Sequence, residues 1–280
     1  MQMAPRYMLV SNGEIKGTGG PSPSIAWHVR GELTLAESDA FWVHLGQEGG
    51  HDHFAAIRIG QAESSEAQAF RPAQQAGFFS LFQLKGAASF DMRCATRAVH
   101  MGAWLHRSRF CGVCGSACVF VGALNKCVCQ NSACGCELFP RIEPAVVVLV
   151  VAGRHCLLAR QPAFPKGFYG PIAGFVEPGE TPEQAVSREV REETGLVIRH
   201  AAYHSAQAWP FPASLMLGFI AHADRDQQVL LSDELEEAIW LDRQSLADAL
   251  HDPKSAALFV PPKGVIGRSL IDKWLLEGQA

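Results

Sequence analysis

The sequence predicts an α+β protein of about two domains, with a metal-binding segment near the middle of the chain. A chain of 280 residues that is 48% apolar can form substantial hydrophobic cores. An apolar, β-branched run at 140–153 predicts a buried strand, and a helical apolar period at 87–107 predicts an amphipathic helix. Seven of the nine cysteines lie between Cys111 and Cys136. Such clustering indicates a metal site, because a disulfide framework would spread the cysteines through the fold.

Residues 1–108 are expected to form a small α+β domain without catalytic residues. The stretches 11–24 and 61–77, rich in small and polar residues, predict loops between short apolar pieces. His51 and His53 are expected at a glycine-flanked surface turn, because no further metal ligand is spaced near them. The predicted helix that ends this region should bury one face, which consists of Phe90, Cys94, Ala98, Met101 and Leu105.

The cysteine-rich segment begins with Cys111-x2-Cys114-Gly, which is typical of a zinc knuckle. Zinc prefers four ligands in a tetrahedron. The candidates for the second pair are Cys127, Cys129, Cys134 and Cys136. A closed site of this kind would have a structural role and connect two domains. A zinc ribbon is also compatible with nucleic-acid binding. The alternative to a metal site is a set of reduced cysteines without a metal.

An acidic helix follows two predicted strands, 140–153 and 155–161, that pair across a turn at Gly153. The helix should run from Pro182 to Thr194, because Thr181 is a good N-cap, Pro182 suits the first turn, and Gly195 can adopt the left-handed conformation that ends a helix. Its core-facing residues are expected to be Ala185, Val190 and, just beyond the helix, Val197.

Three carboxylates share one face of this helix, since Glu189, Glu192 and Glu193 are spaced i, i+3 and i+4. Like charges so close repel each other unless a cation lies among them, and hard oxygen ligands select Mg²⁺ or Mn²⁺ over zinc. Gly174, Glu180 and the run Arg188 to Leu196 together match the Nudix box. The chain therefore resembles a Nudix hydrolase, which implies an α/β/α sandwich that hydrolyses a diphosphate joined to another group.

A second motif, AQAWPFPASLMLGF at 206–219, is very similar to the SQPWPFPxS pattern of the NADH pyrophosphatase subfamily. Ala206 and Ala208 replace the Ser and Pro of that pattern. The prolines are expected to hold Trp209 in an extended loop. The resemblance implies a domain at 1–108, a zinc ribbon at 109–140 and a Nudix catalytic domain at 141–280, assembled as a homodimer. It also implies hydrolysis of NAD(H) to AMP and nicotinamide mononucleotide, and removal of NAD caps from RNA.

The resemblance also assigns site residues. The segment FPRIEP, similar to FPRIDP in the subfamily, sets the zinc ligands as Cys111, Cys114, Cys129 and Cys134. The ligands of Mg²⁺ or Mn²⁺ would be Glu189, Glu192, Glu193 and Glu234. Arg188 would orient a catalytic glutamate by a bidentate contact, and the general base is left open among Glu192, Glu193 and Glu234. The implied substrate-binding residues are Phe139, Phe175, Gln207, Trp209, Ser214 and Gly267.

The net charge of −4 shows no basic excess of the kind that announces a nucleic-acid surface. The longest apolar run, Ala145 to Ala152, is too short to cross a bilayer, and the first residues lack the apolar core of a signal peptide. We therefore expect a soluble, cytoplasmic enzyme with a dinucleotide substrate and no membrane partner. The alternatives are an RNA NAD-cap hydrolase, a Nudix hydrolase of another nucleoside diphosphate derivative, and a zinc-ribbon nucleic-acid-binding module with a vestigial Nudix domain.

Overall fold

A computed structural model describes residues 3–18, 23–33, 40–58, 78–81, 83–84, 88–252 and 258–277. The chain divides into two compact units, Met1–Ile142 with Trp209–Ala213, and Glu143–Ala208 with Ser214–Ala280. The predicted separation of 1–108 from 109–140 remains a prediction. In the described ranges no helix is both long enough and apolar enough to cross a membrane.

The first unit contains a six-stranded sheet in the order β4-β5-β1-β2-β6, with β3 paired to β1. Its strands are β1 (Arg6–Ser11), β2 (Glu14–Lys16), β3 (Trp27–His28), β4 (Phe41–Glu48), β5 (His51–Arg58) and β6 (Phe78–Phe79), and a short 3₁₀ helix spans Arg30–Glu32. Helix α1 (Ser89–Arg107) contributes to the same hydrophobic core as the sheet, and all five of its predicted core residues are buried. The predicted helix is thus confirmed.

The expectation for the two histidines was wrong. His51 and His53 begin strand β5, and the surface turn is formed by Gly49 and Gly50, whose φ angles of 59° and 80° favour glycine. His53 is buried between the rings of Trp27 and Phe90. The predicted loop at 11–24 contains β2, and the predicted loop at 61–77 lies outside the described residues.

A small three-stranded sheet follows in the first unit, in the order β7 (Cys118–Val121), β8 (Lys126–Cys129) and β9 (Glu137–Leu138), with a 3₁₀ helix at Gly122–Leu124. All of its pairings are antiparallel. Two loops, 111–115 before β7 and 131–135 between β8 and β9, each turn through a glycine with positive φ, Gly115 at 73° and Gly135 at 58°. The sheet thereby carries two similar knuckles, each of which contains cysteines.

The second unit is a mixed sheet in the order β13-β14-β10-β11-β15, with β12 paired to β10. Its strands are β10 (Glu143–Ala152), β11 (His155–Arg160), β12 (Ile172–Phe175), β13 (Ile198–Trp209), β14 (Ser214–Ala223) and β15 (Glu237–Asp242). Its helices in the described residues are α2 (Pro182–Thr194), α3 (Arg243–His251) and α4 (Ile266–Glu277). The predicted pairing of β10 with β11 across Gly153 is confirmed, with Ala152 opposite His155.

Strand β10 is buried on both faces, which explains its continuous apolar run. Val146, Val148 and Val150 share one core with residues of α2. Val147, Leu149 and Val151 share a second core with residues of α3 and α4. Helices therefore cover both faces of the sheet, and the predicted α/β/α sandwich is confirmed.

Helix α2 begins and ends where the sequence predicts. Thr181 Oγ1 accepts from Gln184 N at 3.3 Å, and Gln184 Oε1 accepts from Thr181 N at 2.8 Å, so the two residues form a reciprocal cap. Gly195 ends the helix at φ 72°. Ala185 and Val190 are buried as predicted, but the prediction for Val197 was wrong. Val197 lies beyond the helix end, where the helical period no longer applies, and is 62% exposed.

Candidate active site

Arg188 is the centre of a carboxylate network on helix α2. Its Nε and Nη2 donate to the two carboxylate oxygens of Glu180, at 2.7 and 2.9 Å, and this forked contact holds the pKa of Glu180 below its usual range. Its Nη1 donates to Glu189 Oε1 at 2.8 Å and to Glu192 Oε2 at 3.1 Å. Nη2 also donates to the carbonyl of Phe175 at 2.8 Å. The guanidinium thereby ties the helix to the end of β12.

The Glu189 carboxylate lies directly against the backbone of β12 at Gly174. A Cβ at position 174 would overlap with that carboxylate, so an alanine there would force the Glu189 carboxylate to move. Gly174 is paired with Val146 of the central strand β10. The strand therefore serves as a rigid wall that fixes where the Glu189 oxygens lie.

Glu193 differs from its two neighbours in its environment. It is 4% exposed, whereas the side chain of Glu192 is 57% exposed and bonded to Arg188. Burial, followed by the nearby charges of Glu189 and Glu234, raises the pKa of Glu193 to about 8. Near neutral pH this carboxyl therefore holds a proton in the protein without metal.

Glu234 lies in the turn that joins strand β14 to strand β15, and this turn is hydrogen-bonded to the end of helix α2. Leu230 N and Ser232 N donate to the carbonyls of Thr194 and Glu193, at 2.9 and 3.1 Å, and so satisfy two carbonyls in the last turn of α2. Glu234 N in turn donates to Ser232 Oγ at 3.3 Å. The turn therefore brings Glu234 close enough to Glu193 to affect its pKa.

The chemistry of these carboxylates fits a hard divalent cation. Their oxygens are the donors that Mg²⁺ and Mn²⁺ prefer, and the charges of Glu189 and Glu234 add to the effect of burial on the pKa of Glu193. In the described part of the chain, however, no three carboxylates have oxygens within 4.8 Å of one another. Arg188 instead engages Glu189 and Glu192, so it supplies positive charge to two of the four predicted ligands.

The predicted stacking residues have different environments. Phe139 and Phe175 are 60% and 52% exposed, so each presents a ring face to solvent. Trp209 is half-buried, and its ring meets that of Phe211 edge to face at 5.4 Å and 78°. The expectation of an extended loop at Trp209 was wrong, because β13 continues to this residue and the turn begins only at Pro210.

The remaining predicted binding residues make structural contacts. Gln207 Nε2 donates to the carbonyl of Gly264, and Gln207 Oε1 accepts from Ile266 N, both at 2.8 Å, so this amide holds the start of helix α4. Gly267 is buried, and a Cβ there would meet Pro261 at 3.3 Å and Pro171 at 3.4 Å. Ser214 is buried at the start of β14.

The four predicted zinc ligands lie together. The sulfurs of Cys111, Cys114, Cys129 and Cys134 are within 4.8 Å of one another. Val113 N points at the Cys111 sulfur at 3.4 Å, and hydrogen bonds from Ser116 lower the pKa of Cys114 to about 6. Cys127 is buried in the core of the first unit, outside this group. The donor set of four thiols fits tetrahedral zinc.

Comparisons with known proteins agree with this geometry. The NUDIX domain profile matches residues 141–260. The chain is 36% identical over 210 residues to the NAD-capped RNA hydrolase NudC of Pseudomonas syringae pv. syringae (strain B728a), an alignment that covers 75% of this chain and 67% of that protein. The chain belongs to the Nudix family. The resemblance drawn from the Nudix box is therefore confirmed.

Other Nudix relatives align over a smaller share of their length. The NAD-capped RNA hydrolase NUDT12 of Pongo abelii is 40% identical over 181 residues, which is 62% of this chain and 39% of that protein. The NudC of Stutzerimonas stutzeri (strain A1501) is 42% identical over 178 residues, which is 64% of this chain and 60% of that protein. The chain thus spans about two fifths of the NUDT12 length.

Two side-chain contacts in the second unit were not predicted from the sequence. Glu180 was recognised only as a position of the Nudix box, but the structure makes it the forked partner of Arg188. Tyr169 and Glu237 were not singled out, yet Tyr169 Oη donates to Glu237 Oε2 at 2.6 Å. Because 68 residues separate the two, no local spacing signals their contact.

Proposed function

We propose that this protein is a metal-dependent diphosphatase that cleaves NAD(H) to AMP and nicotinamide mononucleotide and also removes NAD caps from RNA. The observation that carries the proposal is that Arg188 holds the Glu189 carboxylate, while the buried Glu193 lies close enough to Glu189 and Glu234 for both charges to raise its pKa. The relatives' names, which specify NAD-capped RNA, support the substrate class. An intact glutamate set speaks against a vestigial domain.

The residues of the proposed cation site have different roles. Glu189, Glu192, Glu193 and Glu234 would hold Mg²⁺ or Mn²⁺. Such a cation, when bound, neutralises the diphosphate and lowers the pKa of a bound water. Arg188 and the wall at Gly174 fix Glu189, so that its oxygens are in place before substrate arrives. Burial of Glu193 keeps water away from its carboxylate, which must release its proton to act as a ligand.

Recognition of the flat rings would rely on exposed aromatic residues. Phe139 and Phe175 each offer a ring face on which nicotinamide or adenine can stack. Trp209 would supply a third. Gln207, Ser214 and Gly267 would shape the pocket through the backbone that they hold and pack against, since the Gln207 amide is already bonded at both ends.

The ribbon would carry one structural zinc on its four clustered sulfurs, a closed site without an open position for chemistry. We further propose that the protein acts as a homodimer. Strand β13 lies at one end of the sheet order and leads directly to Trp209, so a second subunit could meet the molecule there.

The test is incubation of the protein with NADH, NAD, ADP-ribose and NAD-capped RNA in Mg²⁺ or Mn²⁺, with separation of the products. We expect AMP and nicotinamide mononucleotide from NAD(H), and 5′-monophosphate RNA from capped RNA. Glu193→Gln is the matched inactive control, because it keeps the shape of the side chain but cannot ionise to bind the cation. Cleavage of ADP-ribose alone would contradict the proposed substrate, and cleavage of none would contradict the proposed activity.

A further inference from the structure

The turn that carries Glu234 is held at its far end by two buried side chains of the 160–169 segment. Arg160 and Tyr169 are each 8% exposed. Arg160 forms an ion pair with Glu236, and Glu236 N donates to the Arg160 carbonyl at 2.9 Å. Tyr169 donates its hydroxyl to Glu237 at 2.6 Å. Two adjacent residues at the start of β15 are thus fixed by two neighbouring parts of the chain.

These two side chains are themselves rigidly placed. Arg160 also donates from Nη2 to the carbonyl of Phe164 at 3.1 Å and from Nε to that of Pro165 at 3.3 Å. Tyr169 N donates to the carbonyl of Phe259 at 2.8 Å, and its ring is part of the core shared with α3 and α4. The Tyr169 hydroxyl is therefore a fixed donor, whereas the Glu237 side chain that it holds is exposed.

The near end of the same turn rests on helix α2, through the bonds of residues 230 and 232 to the carbonyls of Thr194 and Glu193. Between the two ends, Leu235 is buried in the core beside α2. Glu234 thus lies in a short segment that is held at both ends. One end is hydrogen-bonded to the backbone of the helix that carries Glu189 and Glu193. The other end is held by the side chains of Arg160 and Tyr169.

We propose that Tyr169 is a positioning residue for the divalent-cation site, because its hydroxyl holds Glu237 and through it sets where the Glu234 carboxylate lies relative to Glu189 and Glu193. The proposal rests on the proposed function, in which Glu234 is a cation ligand. Tyr169 does not itself touch cation or substrate. Its removal should therefore change the affinity for the cation more than the rate at saturating cation.

The experiment is Mn²⁺ binding to the full chain without substrate, followed by electron paramagnetic resonance, for wild type, Tyr169→Phe, Glu237→Ala and the double variant. Tyr169→Phe deletes only the hydroxyl and keeps the ring in its core. We expect about a 10-fold loss of Mn²⁺ affinity, in the range found for residues that support metal ligands. Glu237→Ala should show the same loss, and Tyr169→Phe should add nothing in the Glu237→Ala background.

The control is Tyr203→Phe, since Tyr203 is 59% exposed on β13 and its ring packs on Phe219. It should bind Mn²⁺ as wild type does. An unchanged affinity in Tyr169→Phe, an equal loss in Tyr203→Phe, or additive losses in the double variant would overturn the proposal. If Tyr169→Phe fails to fold, Glu237→Ala alone decides, because it alters an exposed side chain. Absence of Mn²⁺ binding in wild type would instead refute the proposed cation site.

Activity assays further distinguish the proposed function from the proposed positioning role of Tyr169. In wild type, NADH hydrolysis as a function of Mg²⁺ tests the proposed function. In Tyr169→Phe, the Mg²⁺ concentration for half-maximal rate should rise by a factor similar to that for Mn²⁺, while kcat at saturating Mg²⁺ stays near wild type. A lower kcat with unchanged Mg²⁺ dependence would contradict the positioning role.

Discussion

Arg188 donates to both carboxylate oxygens of Glu180, at 2.7 and 2.9 Å, and its Nη1 donates to Glu189 and Glu192. Planar guanidinium geometry makes this possible, because five donors in a fixed fork can serve several carboxylates at once. Glu180 thus fixes the Arg188 guanidinium in a position from which it contacts two predicted metal ligands.

Arg188→Lys should therefore lower kcat/KM for NADH by about 10–100-fold, the range seen when a residue that supports metal ligands is lost. A lysine ammonium cannot make the forked contact to Glu180 and reach Glu189 at the same time. The control is Arg191→Lys, which changes an exposed arginine on the same helix. Steady-state kinetics should show no change in the control, and equal losses in both variants would point to a general effect of charge.

Gly174→Ala should destabilise the protein and abolish hydrolysis together. The added methyl would overlap with the Glu189 carboxylate, and overpacking of this kind typically costs about 1–3 kcal/mol. Thermal unfolding and NADH turnover are the measurements. Gly31→Ala is the control, because no atom lies within 4 Å of the position of its new methyl. Wild-type turnover in Gly174→Ala would mean that the carboxylate can leave the wall without cost to function.

Cation binding should release a proton from Glu193 near neutral pH. Its pKa is raised to about 8, so the carboxyl is mostly protonated at pH 7, whereas a metal ligand must be ionised. Calorimetric titration of Mg²⁺ in two buffers of different ionisation enthalpy should thus give different heats. Affinity should rise as pH increases toward 8 and level off above it. Equal heats in both buffers would contradict the protonated state.

The raised pKa of Glu193 also predicts how the free energy of unfolding depends on pH in the protein without metal. The folded state binds the Glu193 proton more tightly than the unfolded state, whose pKa is near 4.5. The stabilising contribution of this group is therefore complete below about pH 4.5 and is lost as pH rises through 8. Glu193→Gln should flatten that decline in denaturant unfolding at a series of pH values, and should abolish NADH hydrolysis.

Local signals explain which parts of this account could be predicted from the sequence. The ends of helix α2 depend on Thr181, Pro182 and Gly195, whose effects are local. The buried strand β10 was predictable from its apolar run alone. In contrast, His53 was assigned to a turn because of the flanking glycines and the lack of a nearby metal ligand, whereas it lies in strand β5. Val197 was assigned to the core because the helical period was extended past the cap at Gly195.

Contacts across the sheet could not be predicted from the spacing of residues in the sequence. The Tyr169–Glu237 bond depends on the placement of β15 beside β11, with Arg160 opposite Glu237. Nothing in the local composition of either segment indicates that pairing. The binding roles of Gln207 and Gly267 were taken from resemblance, whereas the contacts seen in the structure are those of Gln207 with the start of helix α4 and of Gly267 with Pro171 and Pro261.

Freshly purified protein should contain one zinc per chain, measured by atomic emission. Four thiols within 4.8 Å of one another would repel as thiolates unless a cation neutralises them. Structural zinc can supply on the order of 10 kcal/mol to a small domain, so Cys111→Ser should lose the metal and unfold the ribbon. Cys136→Ser is the control, since Cys136 lies outside the four-sulfur group. Loss of zinc in the control alone would overturn the assigned ligand set.

Trp209→Ala should weaken substrate binding more than it slows the chemical step. Trp209 ends strand β13, and its half-buried ring meets that of Phe211 edge to face, so the strand fixes the backbone from which the ring would reach a ligand. One stacking contact on a base is worth about 1–3 kcal/mol, and this loss should appear in the KM for NADH with kcat little changed. Mn²⁺ affinity should be unaltered. Tyr203→Ala, an exposed aromatic on the same strand, serves as the control. A wild-type KM in Trp209→Ala would assign the ring to packing against Phe211, because a ring that only packs contributes to stability and leaves the binding of the dinucleotide untouched.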